Sequence, residues 1–424
     1  MRFQSAFSVF VLLSVYGVNS APTHIDNKSG ANNLSTSGYL VQMKKPFTME
    51  KLCSQDDRLR GTATHIRDGI KRMFSFGTFE GFSGNFTKES VQRMASNPLV
   101  EKIVPDMLVR AVDVVDIQYN APPHLVRLSQ DGPVQAQQAE YIYDAEFQGQ
   151  NVNAYVIDSG VFVDHPEFEG RAENGPNFSD DPTVDDNVGH GTHVAGVIGS
   201  KTYGVAKQIN IISVKVLDMF GQGSLSSVIA GLEFAVSHNK EDGLPGVANL
   251  SLGAAKSTVL DDAIRAAYEA GLIIVVAAGN SNIDACNTSP AGSKYAYTVG
   301  AIDDTIDRIA SFSNWGRCVN MFSSGVEVKS LSNDKMDLKA IQTLSGTSMA
   351  SPVLAGLIGT LLGKGVSQYD IPSELDDTAI SNGIPRISLM LRPGSPNRIA
   401  SNGYREYDMS SSASFRDRNI TSVL

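Results

Sequence analysis

A hydroxyl, an imidazole and a carboxylate stand in three short segments set far apart along this 424-residue chain. Ser348 follows Gly346-Thr347 and precedes a run of small and apolar residues reaching Leu362, a pattern that puts it in the first turn of a helix with almost no polar face. A serine hydroxyl is a poor nucleophile near neutral pH and attacks a carbonyl only when an adjacent base takes its proton as the bond forms. His190, in Gly189-His190-Gly191-Thr192-His193, is the candidate base, because a neutral imidazole can accept that proton and later return it to a leaving amine. Asp158 ends the apolar run Ala154-Tyr155-Val156-Ile157. A lone carboxylate buried at a strand end is costly to desolvate, and a bond to the His190 imidazole would offset that cost while fixing its tautomer. Such a trio supports acyl transfer. The negative charge developing on the carbonyl oxygen needs donors, and the backbone N–H of Ser348 and the side-chain amide of Asn280 are the candidates.

Other uses of these residues fit less well. Two histidines three apart suggest a metal, but the zincin pattern needs a glutamate straight after the first, where this chain has Gly191; His193 is read as structural. An esterase elbow needs Gly-x-Ser-x-Gly, and Ala350 fills the last place. Turn formation is the competing role for Asp158, before Ser159-Gly160, and for Asn280, after Gly279.

The elements that must position these groups begin at Asn151. Short apolar runs at Asn153–Ile157, Ile209–Leu217, Val247–Leu252, Leu272–Ala278 and Tyr295–Val299 read as strands, and Ser226–Ser237 and Val259–Ala270 have helical period. Continuous apolar strands separated by helices imply an α/β fold, a doubly wound parallel sheet covered on both faces. Functional groups gather beyond the carboxyl ends of such strands, and Asp158 and Asn280 each follow an apolar run.

Upstream, Met1–Ser20 has a basic start, a short apolar stretch and small residues near a cut site, the pattern of a secretory signal peptide; residues 21–38 are polar and read as a flexible lead. Next, Tyr39–Met43, Thr78–Phe86 and Val100–Arg110 read as strands, with helices over Asp57–Phe74 and Lys88–Ser96. That order fits a small α+β domain of split βαβ type. Residues 404–424 read as a disordered tail.

Hydrophobic residues make up 42% of the chain and charged ones 19%, an ordinary globular balance, and a net charge of −10 argues against nucleic acid or an anionic membrane as partner. No segment after the leader is long and apolar enough to span a bilayer. Three cysteines are too few for a disulfide-built scaffold; Cys53 stands apart, and Cys286 and Cys318 either pair in an oxidising compartment or remain separate thiols. Sequons occur at Asn27, Asn33, Asn85, Asn177, Asn249, Asn287 and Asn419; Asn249 lies in an expected buried strand, which leaves Asn177 and Asn287 as the better acceptors.

The chain order Asp158, His190, Ser348 is the subtilisin order, unlike those of chymotrypsin and the α/β-hydrolases. Together with Ala277-Ala278-Gly279-Asn280, Val214-Lys215-Val216-Leu217-Asp218 and Phe312-Ser313-Asn314, the three segments resemble the signature blocks of the subtilases, in particular the proteinase K group and the fungal vacuolar proteinase B type. The resemblance runs from about Pro122 to Gly403. It implies a serine endopeptidase made as a zymogen, with an inhibitory propeptide over 39–115, a catalytic domain over 116–403 and a maturation cut between about Arg110 and Ala121. It further implies polypeptide substrates bound as an extended strand between Ser251-Leu252-Gly253-Ala254 and Gly221-Gln222-Gly223-Ser224-Leu225. Broad specificity is expected because strand addition reads main chain more than side chain, and an apolar P1 preference because those walls carry no charge. A monomer of the secretory pathway, exported or vacuolar, is the implied form.

Departures from the family pattern are Ala254 for a second glycine, Val353 for a histidine, Ser323-Ser324 for Ala-Pro, and Asn320 where relatives place a calcium-ligating aspartate. The last weakens a hard-cation site, so no cofactor is expected to be required, with calcium dependence left open. The competing function is a catalytically silent homologue acting as a binding protein.

Overall fold

The computed structural model describes residues 37–44, 69–106, 115–135, 137 and 139–404. The expected leader, most of the flexible lead, the tail beyond Tyr404, Cys53 and the sequons at Asn27, Asn33 and Asn419 lie outside them. The chain divides into two compact units, residues 1–111 and 112–424.

In the first unit, β1 (Ser37–Met43), β2 (Ile70–Phe76), β3 (Phe79–Phe86) and β4 (Val100–Pro105) form one sheet in the order β2-β3-β1-β4, with every pairing antiparallel. Helix α1 (Lys88–Ala95) follows β3, and Thr87 caps it by accepting a bond from Ser90 N at 3.2 Å. Val41, Met43, Phe82, Phe86 and Met94 make the core. The helix expected to reach Phe74 is corrected here, because Ile70–Phe76 is a strand. Gly77-Thr78 closes a two-residue turn, Gly77 taking φ 50°, and returns the chain as β3 with Phe76 stacked on Phe79 at 5.2 Å. Residues 57–68 of that expected helix lie outside the described residues.

The second unit opens with an antiparallel pair, β5 (Val115–Tyr119) and β6 (Glu140–Asp144). Then come β7 (Asn153–Asp158), β8 (Ala172–Asn177), α2 (His190–Gly199), β9 (Asn210–Lys215), α3 (Leu225–Asp242), β10 (Gly246–Leu250), α4 (Thr258–Glu269), β11 (Ile273–Ala277), β12 (Tyr297–Asp303) and β13 (Met321–Ser324). A hairpin of β14 (Val328–Leu331) and β15 (Ile341–Leu344) leads into α5 (Thr347–Gly363).

Strands β8-β9-β7-β10-β11-β12-β13 lie side by side in that order, all parallel. Alternate residues of β7 point to opposite faces. Ala154 and Val156 pack with α2 and α5 residues such as Val194, Ile198 and Leu354, whereas Tyr155 and Ile157 pack with Leu232 of α3 and Ile264 of α4. The sheet is thus doubly wound, as its continuous apolar runs require. After β9 the chain crosses from one side of β7 to the other, so the switch point lies between the carboxyl ends of β7 and β10. Crevices at such points are where open α/β sheets hold ligands.

Cys286 and Cys318 are joined as a disulfide with Cα atoms 5.3 Å apart, which settles the pairing that their spacing left open. Among the described residues, no helix is long and apolar enough to cross a membrane.

Candidate active site

Asp158 is the last residue of β7 and fully buried. Its Oδ1 accepts bonds from Ser159 N at 2.7 Å and from His190 Nδ1 at 2.7 Å. A proton on Nδ1 leaves the lone pair on Nε2. His190 begins α2 and keeps a quarter of its side chain exposed, lining a cavity of about 590 Å³. Burial draws its pKa down, but the Asp158 charge and hydrogen bond, joined by Asp186, outweigh that, so the imidazole holds a proton more tightly than free histidine does. His193, one turn further on, donates from Nε2 to Val328 O at 3.0 Å, and burial lowers its pKa to about 4.

Ser348 is the second residue of α5. Its Oγ donates to Ser251 O at 3.2 Å and not to His190. Asn280 follows Gly279, whose φ of 100° suits glycine, and its Oδ1 accepts bonds from Thr347 N at 2.8 Å and Thr347 Oγ1 at 2.9 Å. With the oxygen so held, the Nδ2 end is the donor left over. Asn280, Thr347 and Ser348 line a second cavity of about 470 Å³.

The segment Ser251–Ala254, just beyond β10, borders both cavities. All seven expected wall residues, Gly221, Gly223, Leu225, Ser251, Leu252, Gly253 and Ala254, line the first. Apart from His190, no ionisable side chain lines either cavity among the described residues. Ser251 needs a finer description than a wall. Its side chain, 4% exposed, is turned beneath the helix start, where Oγ donates to Ser348 O and meets Asn249 Nδ2 and Ser351 Oγ, each at 2.9 Å.

Two contributors were missed in the sequence. Thr347 clamps Asn280 and also accepts Gly279 N on its Oγ1 at 3.0 Å; its place directly before the nucleophile was the available signal. Asp186 is one of four aspartates within residues 180–186, and no spacing set it apart from the others, yet it is 6% exposed.

Of the departing positions, Val353 is core, and Ser323 and Ser324 are buried in β13. Asn320 Oδ1 accepts Thr298 N at 2.8 Å. Asn249 is 1% exposed, as its strand position required, and the Nδ2 of Asn177 already donates to Asp181 O at 2.7 Å and Thr183 O at 3.0 Å.

Residues 149–389 match the Subtilase family and residues 38–111 match the Peptidase inhibitor I9 family. Together these define a serine endopeptidase that carries its own inhibitory propeptide domain. The chain belongs to the subtilase family. It is 39% identical over 411 residues to Subtilase-type proteinase RRT12 of Saccharomyces cerevisiae, covering 87% of this chain and 83% of that protein. Cerevisin of the same organism is 43% identical over 333 residues, covering 75% of this chain and 52% of that one. A crystal structure of a cold adapted subtilisin-like serine proteinase superposes with a TM-score of 0.60 at 40% identity, covering 67% of this chain and 98% of that chain.

Proposed function

We propose that Asp158, His190 and Ser348 are the catalytic triad of this endopeptidase, with Asn280 and the Ser348 N–H as oxyanion donors. The observation that carries the reading is the 2.7 Å bond from buried Asp158 to His190, in a crevice whose Ser251–Ala254 wall also borders Ser348 and Asn280. Rotation of Ser348 Oγ away from Ser251 O, between staggered wells, brings its proton to His190 Nε2. The Oγ then bonds to the carbonyl carbon of the substrate while that proton passes to Nε2. The charge formed on the carbonyl oxygen is met by Asn280 Nδ2. The C–N bond breaks as His190 returns the proton to the leaving amine, and water repeats the sequence in reverse roles to release the acid.

Substrate runs as an extended strand between 251–254 and 221–225, read mainly through its backbone, so specificity is broad. Uncharged walls favour an apolar P1 side chain, and the Ala254 methyl narrows the site relative to glycine. The enzyme acts as a monomer without a required metal: Asn320 offers an amide where a carboxylate would hold calcium, and its oxygen already serves Thr298. Chelator should leave activity and melting temperature unchanged, and a loss reversed by calcium would refute that part. The basic, apolar leader supports passage through the secretory pathway, with export or a vacuole as destination.

Matured protein and a Ser348→Ala form, incubated with unfolded casein and a fluorophosphonate probe, test the triad. Cleavage and labelling by the first alone are expected. Equal behaviour of the two would leave the silent binding homologue as the reading.

A further inference from the structure

The charge set that surrounds His190 includes a second buried carboxylate. Asp186 Oδ1 accepts bonds from Ser159 Oγ at 2.9 Å, Val188 N at 3.1 Å and Gly189 N at 2.8 Å, while Oδ2 accepts Thr192 N at 2.8 Å and Thr192 Oγ1 at 2.6 Å. Ser159 Oγ in turn accepts Gly191 N at 3.0 Å. One side chain therefore ties the residue after Asp158 to the first turn of the helix that His190 begins. Gly189, the N-cap, has no side chain of its own, and Asp186 supplies the capping oxygen from three residues earlier.

The position has an electrostatic consequence. A helix N-terminus carries partial positive charge, which opposes a protonated imidazole on its first residue. A base that must become imidazolium in the transition state is badly placed there unless something cancels the dipole. Asp158 bonds the ring directly, and Asp186 sets a full negative charge at the helix end itself.

We propose that Asp186 is a positioning residue for the peptidase reaction, a second carboxylate that caps the His190 helix and offsets its dipole so that His190 can carry a proton during turnover. The proposal rests on the triad reading above. The other ionisable groups around the ring are accounted for. His193 is neutral in the helix, Lys215, which donates to Ser159 O at 2.6 Å, is paired with Asp181 at 3.0 Å, and Lys335 from the β14–β15 hairpin is paired with Asp185 at 2.9 Å. From that hairpin, the uncharged amides of Asn333 and Gln342 lie nearest to Gly189.

The test compares pH profiles of kcat and kcat/KM for matured wild type, Asp186→Asn and Ser159→Ala on one peptide substrate, with Ser348→Ala as blank. Asp186→Asn should move the acid limb to lower pH and reduce plateau kcat roughly tenfold with KM little changed. Ser159→Ala breaks the bridge but keeps the charge, so its limb should coincide with wild type. If Asp186→Asn does not mature, Asp186→Glu replaces it: its limb should stay in place while kcat falls. An unmoved limb in Asp186→Asn, an equal displacement in Ser159→Ala, or a lowered limb in Asp186→Glu would overturn the proposal. Activity that survives Ser348→Ala would instead overturn the triad.

Discussion

Ser251 Oγ donates at 2.9 Å to the carbonyl oxygen of Ser348, and that is the carbonyl which Pro352, four residues on in α5, has no N–H to reach. The nucleophile's own peptide oxygen is thus satisfied from the segment just beyond β10 rather than from its helix. Ser251 O also accepts the Ser348 hydroxyl, so one residue holds both polar ends of the nucleophile. A proline that would break most helices is accommodated here because the orphaned acceptor meets a buried donor beneath the helix start.

Ser251→Ala should therefore lower stability by about 1–3 kcal/mol, the cost of a buried acceptor left without a donor, and should reduce kcat roughly tenfold. Adding Pro352→Ala to that variant restores an N–H to the helix and should recover part of the stability. Thermal melts of fluorophosphonate-blocked proteins measure both, and strict additivity of the two substitutions would show that they do not share the Ser348 carbonyl.

Thr347→Val keeps shape but removes the hydroxyl that both accepts Gly279 N and donates to Asn280 Oδ1. The Asn280 amide is then held only by Thr347 N. A drop in kcat of about 10-fold or more is expected with KM little changed, since the oxyanion exists only after attack. Thr347→Ser should restore most of it. A rise in KM at constant kcat would mean that Thr347 shapes substrate binding instead.

Much of this site was legible because its parts sit where local pattern is strongest. The run before Asp158 and the small-residue helix after Ser348 are buried on all sides, and burial writes itself into sequence as unbroken apolar residues. Edges are different. Ala172–Asn177 contains glutamate, asparagine, glycine and proline, and is a strand only because it lies beside β9 at the rim of the sheet. Ile70–Phe76 carries no helix-breaking residue, and only the turn at Gly77 makes it a strand. Asp186 and the side chain of Ser251 were hidden for another reason: each has a partner on a distant segment, Ser159 for the one and Ser348 for the other, and no spacing rule reports a contact between residue 251 and residue 348.

Asp304 should make the fold less stable as pH rises. It is 4% exposed, its Oδ1 has no partner, and burial raises its pKa from 3.8 to about 7, against the pull of Ser324 and Arg127 and with a push from Asp307 and Asp303. The folded protein keeps this proton where the unfolded chain has lost it. The contribution is complete below about pH 3.8 and is lost as pH rises through 7, several kcal/mol in all. Asp304→Asn cannot ionise, so its melting temperature relative to wild type should climb between pH 5 and pH 8. A constant difference would mean that Asp304 already ionises at low pH.

His124 works in the opposite sense. It is 1% exposed, donates from Nε2 to Tyr203 O at 2.8 Å, leaves Nδ1 without a partner, and is pushed by burial from 6.5 to about 4. A depressed base stabilises the fold fully above its unfolded pKa, and this contribution is lost as pH falls from 6.5 towards 4, when the unfolded chain takes up a proton the folded one refuses. The loss is roughly 3 kcal/mol for His124, and His193, lowered to the same value, adds its own. Acidification thus withdraws stability at two imidazoles while Asp304 returns some, which leaves the histidines dominant below pH 6. His124→Gln keeps a donor for Tyr203 O but cannot titrate, so its melting temperature should fall less than that of wild type between pH 7 and pH 4.5. Parallel curves would show that His124 accepts its proton in the folded state, and that the segment around Pro123–Val126 opens to let it do so.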